Sequence, residues 1–237
     1  MITVFAELTE SLGAALRGHL DSSSMDVYEL LREFYGVKVK VVSEKRRRVF
    51  ISKELSQHPL YIYEKQRVIQ KITRIAESGG NLKIYLSERS QHLNYTDKAL
   101  ATFGVHHFHL GEAIANGGKR KGLVKGTKSL LFGRVTEEAI FFVAIFPHSA
   151  LPEFLKPELL RIIHRNWPWS ISEHRLHREG MAECREGVTD EEIGKVLAHN
   201  INVPIVVDGI AYFLPGGGLT AAGTSGEVEW RVLRTLN

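Results

Sequence analysis

Apolar and polar positions along the chain predict a mixture of helices and short strands. Residues 25–35 follow helical spacing through Val27, Leu30, Leu31 and Phe34, with Ser24 as N-cap and Gly36 as stop. Residues 37–41 alternate Val-Lys-Val-Lys-Val, which predicts a half-exposed strand paired as a hairpin with residues 49–51. A helix is predicted over 61–78 from the apolar face Val68, Ile69, Ile72 and Ile75, ended by Gly79-Gly80. Residues 82–87 fit a short helix or a strand. Residues 96–103 read as a helix stopped by Gly104, and 105–110 as a strand. A glycine- and lysine-rich loop follows over 111–126. The apolar runs 130–135 and 140–146 predict an antiparallel hairpin around Thr136-Glu137-Glu138. Residues 157–166 form a helix opened by a proline, with Pro168 blocking its continuation. Thr189 caps an acidic-start helix to about 199. Asp208-Gly209 predicts a two-residue hairpin between 205–207 and 210–213. Gly216-Gly217-Gly218 reads as a flexible connection, and 228–233 as a final strand. The fold class expected is α+β, an antiparallel central sheet flanked by helices. The organisation expected is a small N-terminal segment, 1–60, and a main domain, 61–237.

Composition narrows this picture. The chain has 237 residues, 43% hydrophobic and 24% charged, which suits an ordinary globular core and argues against disorder. No stretch approaches the ~20 apolar residues that span a bilayer. The N-terminus lacks the basic and apolar regions of a secretory leader. Cys184 is the sole cysteine, so no internal disulfide forms and its acidic surroundings weaken it as a nucleophile. A cytoplasmic location with no membrane partner is therefore expected. The net charge is only +4, but its distribution is uneven. Arg46 and Arg47 stand in one basic segment, and Lys119, Arg120, Lys121, Lys125, Lys128 and Arg134 in another. Such segments either solvate the surface or bind a polyanion such as RNA.

Chemistry concentrates at the centre. Seven of the 11 histidines lie between positions 106 and 177. Strand alternation puts His107 and His109 on one face, predicted outward, with His106, Phe108 and Leu110 on the other. His148 ends the strand over 140–147, where inward residues meet a surface loop. Metal-independent RNA cleavage needs a base for the 2′-hydroxyl, an acid for the 5′-oxygen and a cation for the phosphorane. His107, His109 and His148 with Lys128 supply these types, and Lys119, Arg120, Lys121, Lys125, Arg134, Arg46 and Arg47 supply a phosphate-binding surface. The same histidines also suit zinc, with His148 or His164 as third ligand. His174 and His177 with Cys184 form a weaker ligand set. Read as structure instead, His106 and His164 are buried and hydrogen-bonded, and Trp167 is packed. Neither the glycine triplet nor Ser149 resembles a phosphate loop or a nucleophile elbow.

The run His107-Phe108-His109-Leu110-Gly111-Glu112 resembles the His-x-x-x-Gly-Glu strand motif of EndoU-type endoribonucleases. The order of helices and then strands is similar to small bacterial RNase toxins with an EndoU- or RelE-like sheet. The resemblance implies a catalytic His107. The family's second motif, Gly-x-His-Asn-Trp, has no counterpart at Arg165-Asn166-Trp167, so it assigns no second histidine or lysine. A pattern of His-x-His-Leu-Gly and His-x-Asn-Trp-Pro also resembles uncharacterised bacterial proteins. The function expected is a metal-independent endoribonuclease of toxin or defence type without a cofactor, with RNA and an antitoxin or other protein as partners. The alternatives are a zinc hydrolase and a non-catalytic binding protein.

Overall fold

A computed structural model describes residues 26–92, 95–148, 156–176 and 188–236. The elements are α1 (Val27–Lys40), β1 (Arg48–Ile51), α2 (Lys53–Ser56), a π-helical turn (Tyr61–Lys65) running into α3 (Gln66–Ser78), and α4 (Lys98–Phe103). Then come β2 (Val105–His109), β3 (Ser129–Val135), β4 (Ala139–Pro147), α5 (Glu158–Asn166), α6 (Asp190–Ala198), β5 (Ile205–Val207), β6 (Ile210–Tyr212) and α7 (Gly226–Leu236). Ser24, Met25, Ser149, His177 and Cys184 lie outside the described residues.

The fold is α+β, but its central sheet is mixed. Its order is β1-β4-β3-β2. The β2–β3 and β3–β4 pairs are antiparallel, as the hairpin pattern predicts, whereas β1 runs parallel to β4, with Val49 opposite Ile140. Parallel neighbours need a crossover, and here it is the long excursion through the helices between β1 and β2.

Helices and loops cover both faces of this sheet. Phe132, Phe141 and Val143 pack against Leu159, Leu160 and Ile163 of α5 on one side. Leu131, Ile140 and Phe142 pack against Val68, Ile69 and Ile72 of α3 on the other. Double-sided burial explains why β4 reads as an unbroken apolar run instead of an alternation. Trp167 is packed as expected, its ring 5.0 Å from that of Phe141.

Local signals hold where chain chemistry dictates them. Gly79 and Gly104 end α3 and α4 in the left-handed conformation that glycine adopts without a Cβ clash. Thr189 and Glu192 form a reciprocal capping box at α6. The Asp208-Gly209 turn has positive φ at both positions. Residues 83–85 are a 3₁₀ turn.

Three further expectations fail, two of them for a common reason. Residues 37–40 are not a strand but the end of α1, which runs through Gly36. Residues 228–233 are not a strand but lie inside α7. Both segments alternate, yet both also carry apolar residues at helical spacing. Packing of Leu30 and Leu31 on Val228 and Val232 selects the helix. With the helix chosen, residues 37–41 cannot pair with β1, which joins the main sheet instead. Asp26 caps α1, its carboxylate accepting from the Glu29 N–H at 2.8 Å.

The glycine triplet is the third case: it is a fitted connection, not a flexible one. A Cβ at Gly216 would stand 2.0 Å from the Leu100 carbonyl oxygen. The Gly216 and Gly218 N–H groups donate to the Thr102 and Ala101 carbonyls at 3.1 and 2.8 Å. The triplet thereby satisfies carbonyls that the end of α4 leaves without helical partners. Among the described residues, no helix is long and apolar enough to cross a membrane.

Candidate active site

β2 is an edge strand, but it is not open. α4 leads directly into it, and the 111–126 loop folds back across its end. Gly111 permits that return, since a Cβ there would meet the Lys125 carbonyl oxygen at 2.2 Å. The loop is tied down by the Val124 N–H donating to the Ile84 carbonyl (2.9 Å) and the Lys125 N–H donating to the Ala113 carbonyl (2.8 Å).

His107 and His109 therefore do not face outward. They share a face, as alternation requires, but His109 is only 4% exposed and the His107 side chain 11%. The prediction assumed that the face opposite Phe108 meets water; the loop, α4 and Phe132 occupy it. The His107 ring lies 6.2 Å from that of Phe132.

These histidines form a row. His107 Nδ1 lies 3.0 Å from Asp97 Oδ2. The His107 and His109 rings are 6.4 Å apart, and the His109 and His148 rings 5.7 Å. His148 is exposed and ends the row at the surface. The hairpin sets this placement, with the His148 N–H donating to the Lys128 carbonyl at 2.5 Å. Lys128 itself is exposed. The expected closeness of His148 to the β2 histidines is thus present, made to His109.

Asp97 has no signature in the sequence beyond a helix cap, and it caps α4 by accepting from the Leu100 N–H at 3.2 Å. Burial pushes its pKa up, but the His107 charge and the hydrogen bonds outweigh this, and the net shift is downward. Burial lowers the pKa of His107; the Asp97 charge and contact outweigh it, and the net is upward. The two shifts agree on an aspartate–imidazolium pair.

His109 behaves differently. Arg120 NH1 lies 3.2 Å from His109 Nε2. Arginine can only donate, so Nε2 is the acceptor and the imidazole proton sits on Nδ1. Burial, then the positive charges of Arg120, His107 and His148, hold the His109 pKa down to about 3. His109 is thus a neutral imidazole standing between His107 and His148. Arg120 also donates to the Val124 and Leu86 carbonyls, leaving two of its five N–H donors.

The basic residues divide. Lys119, Lys121, Lys125 and Arg46 are exposed, as a phosphate-binding surface requires. Arg47 is not part of such a surface: it is 5% exposed and donates to the Thr136 and Ser43 carbonyls at 2.8 and 2.7 Å. Arg134 is also removed from it, being 8% exposed at the end of β3. A charge run reveals cations but not which of them fold inward to hold loops.

His164 sits apart, its Nδ1 2.8 Å from the Tyr212 hydroxyl, the structural role expected. His106 is buried on the opposite face of β2, and burial lowers its pKa to about 4. Among the described residues, no three His, Cys, Asp or Glu side chains converge as a metal site. The ligand sets proposed from spacing, His107 and His109 with His148 or His164, do not assemble. A scan of protein-family models, a search of curated proteins and a search of solved structures gave no match to the chain.

Proposed function

We propose that the protein is a metal-independent endoribonuclease of toxin or defence type working at the Asp97–His107–His109–His148 row. The observation that carries the reading is the 3.0 Å pairing of His107 with Asp97, at one end of a row that reaches solvent at His148. A carboxylate behind an imidazole fixes its orientation and favours the imidazolium, which is what a general acid needs. His148 takes the proton of the RNA 2′-hydroxyl as the 2′-oxygen bonds to phosphorus. The bond from phosphorus to the 5′-oxygen breaks, and His107 Nε2–H protonates that oxygen, which requires the 111–126 loop that covers its face to give way to the RNA. The products are a 2′,3′-cyclic phosphate and a 5′-hydroxyl. The two remaining donors of Arg120 suit the charge on the pentacoordinate phosphorus, a role that spacing alone gave to Lys128. Exposed Lys119, Lys121 and Lys125 suit the flanking phosphates. His109 holds Arg120 and exchanges no proton.

The test is incubation of purified protein with mixed RNA, with and without EDTA, reading the ends formed. Cleavage that survives EDTA and leaves cyclic phosphates is expected, as is its loss in His148→Ala with unchanged thermal unfolding and in His107→Asn, which gives up the stability of the Asp97 pair but should still unfold cooperatively. Cleavage retained in the double variant overturns the assignment. RNA binding without cleavage, weakening steeply with salt, favours the non-catalytic reading that the exposed lysines also support.

A further inference from the structure

A second site lies around the sheet edge from the histidine row. A cavity of about 730 Å³ opens between α1, the start of α7 and the ends of β2 and β3. This volume is in the range that holds a small organic molecule. Its walls combine apolar groups such as Val39, Leu100 and Val228 with Tyr95, and carry six lysines and arginines against four carboxylates.

Most of these cations are already occupied. Arg47 is used by backbone carbonyls, Arg231 pairs with Glu227 at 2.8 Å, and Lys40 donates to the His92 and Tyr95 carbonyls. Arg32 pairs with Glu229 at 2.9 Å and Lys38 is exposed beside the Phe34 ring, whereas Arg134 is buried. Its side chain is nine-tenths buried, and its buried Nε has no hydrogen-bond partner among the described residues. Its ion pair there, NH2 to Glu173 Oε1, is long at 3.4 Å, and that carboxylate is 61% exposed. A single-point pair to a solvated carboxylate compensates little for a buried guanidinium. Burial accordingly lowers the Arg134 pKa, an ordinary sign of a charge short of partners. The backbone makes room for the group: a Cβ at Gly104 would stand 2.8 Å from Arg134 NH1.

We propose that this cavity binds a small organic anion, its phosphate or carboxylate head held by the Arg134 fork and its apolar body against Tyr95 and the α1–α7 wall. A planar guanidinium with unused donors matches two oxygens of such a head. The Glu173 carboxylate stands in for the ligand head when the cavity is empty. The site is distinct from the ribonuclease reading, because His107 and His148 do not line it, although Asp97, which pairs with His107, stands in its wall.

Isothermal titration with 5′-AMP, hexanoate and inorganic phosphate separates the sources. A phosphate-headed ligand shows as 5′-AMP binding, a carboxylate-headed one as hexanoate binding, each tighter than inorganic phosphate. Binding should fall at least tenfold in Arg134→Gln and tighten in Glu173→Gln, which removes the internal competitor. It should persist in His148→Ala, whose residue does not line the cavity. Should Arg134→Gln fail to fold, Arg134→Lys keeps the charge without the fork and should bind more weakly than the parent. Absence of binding by all three compounds, or equal binding with and without Arg134, overturns the proposal.

Discussion

Acid should weaken this fold well before its carboxylates protonate, and His109 is the place to measure it. In the folded chain its pKa is held at about 3, whereas an ordinary histidine titrates near 6.5. Between those values the unfolded chain takes up a proton that the folded chain refuses. Stability is therefore lost as pH falls below 6.5. At pH 5 the unfolded histidine gains about 2 kcal/mol relative to the folded one, at 1.36 kcal/mol per pH unit. His106, held at about 4, adds a similar amount. Together they make a ceiling of about 4 kcal/mol, a large share of a total that is ordinarily ~5–15 kcal/mol. His107 works in the other sense. Its raised pKa contributes stability that is complete below 6.5 and lost as pH rises through its folded value, so it does not steepen the acid limb. Asp97, with a depressed pKa, loses its contribution only below the ordinary carboxylate range. Urea unfolding at pH 7 and pH 5, for the parent and for His109→Gln, isolates the contribution. Glutamine still presents an acceptor to Arg120 but cannot titrate, so its pH-dependent loss should be smaller by about 2 kcal/mol. An identical loss in both proteins would refute the assignment of His109 as a buried neutral imidazole.

Other perturbations test the helix caps and glycines. Gly36→Ala should stabilise the protein by about 0.5–1 kcal/mol, because the position is inside α1 and a Cβ there meets nothing within 4 Å; a lower chemical-denaturation midpoint would contradict this. Gly104→Ala should cost more than about 1 kcal/mol, since φ is +65° and the new Cβ crowds Arg134; a melting curve compared with that of Gly36→Ala gives the contrast. Thr189→Ala should lose about 1 kcal/mol by removing the α6 capping box, which local hydrogen exchange near residues 190–193 would register.

The legibility of this molecule tracks how local each determinant is. The ends of α3 and α4, the α6 cap and the turn at Asp208-Gly209 are set by a residue or two, and each was readable from the chain. Residues 37–40 and 228–233 were not, because their alternation satisfies two periods and only the mutual packing of α1 and α7 selects one. The histidine row was half readable. Strand parity put His107 and His109 on one face, and the hairpin brought His148 to His109. Nothing in the sequence joins Asp97 to His107, since a whole helix separates them. Nor does a basic tract show that Arg120 turns back onto His109 or that Arg134 turns inward. Those facts belong to loop closure, which composition does not encode.

Asp97 holds two posts at once. The same carboxylate starts α4 and orients His107, while the far end of that short helix seats the glycine triplet. Genetic change at this position is consequently pleiotropic: Asp97→Ala removes the cap and the counter-charge together, whereas Asp97→Asn keeps a capping oxygen and deletes only the charge. A lineage could drift through the asparagine variant with its architecture intact and its imidazole stripped of a counter-ion. The ion pair could thus be lost without the protein falling apart.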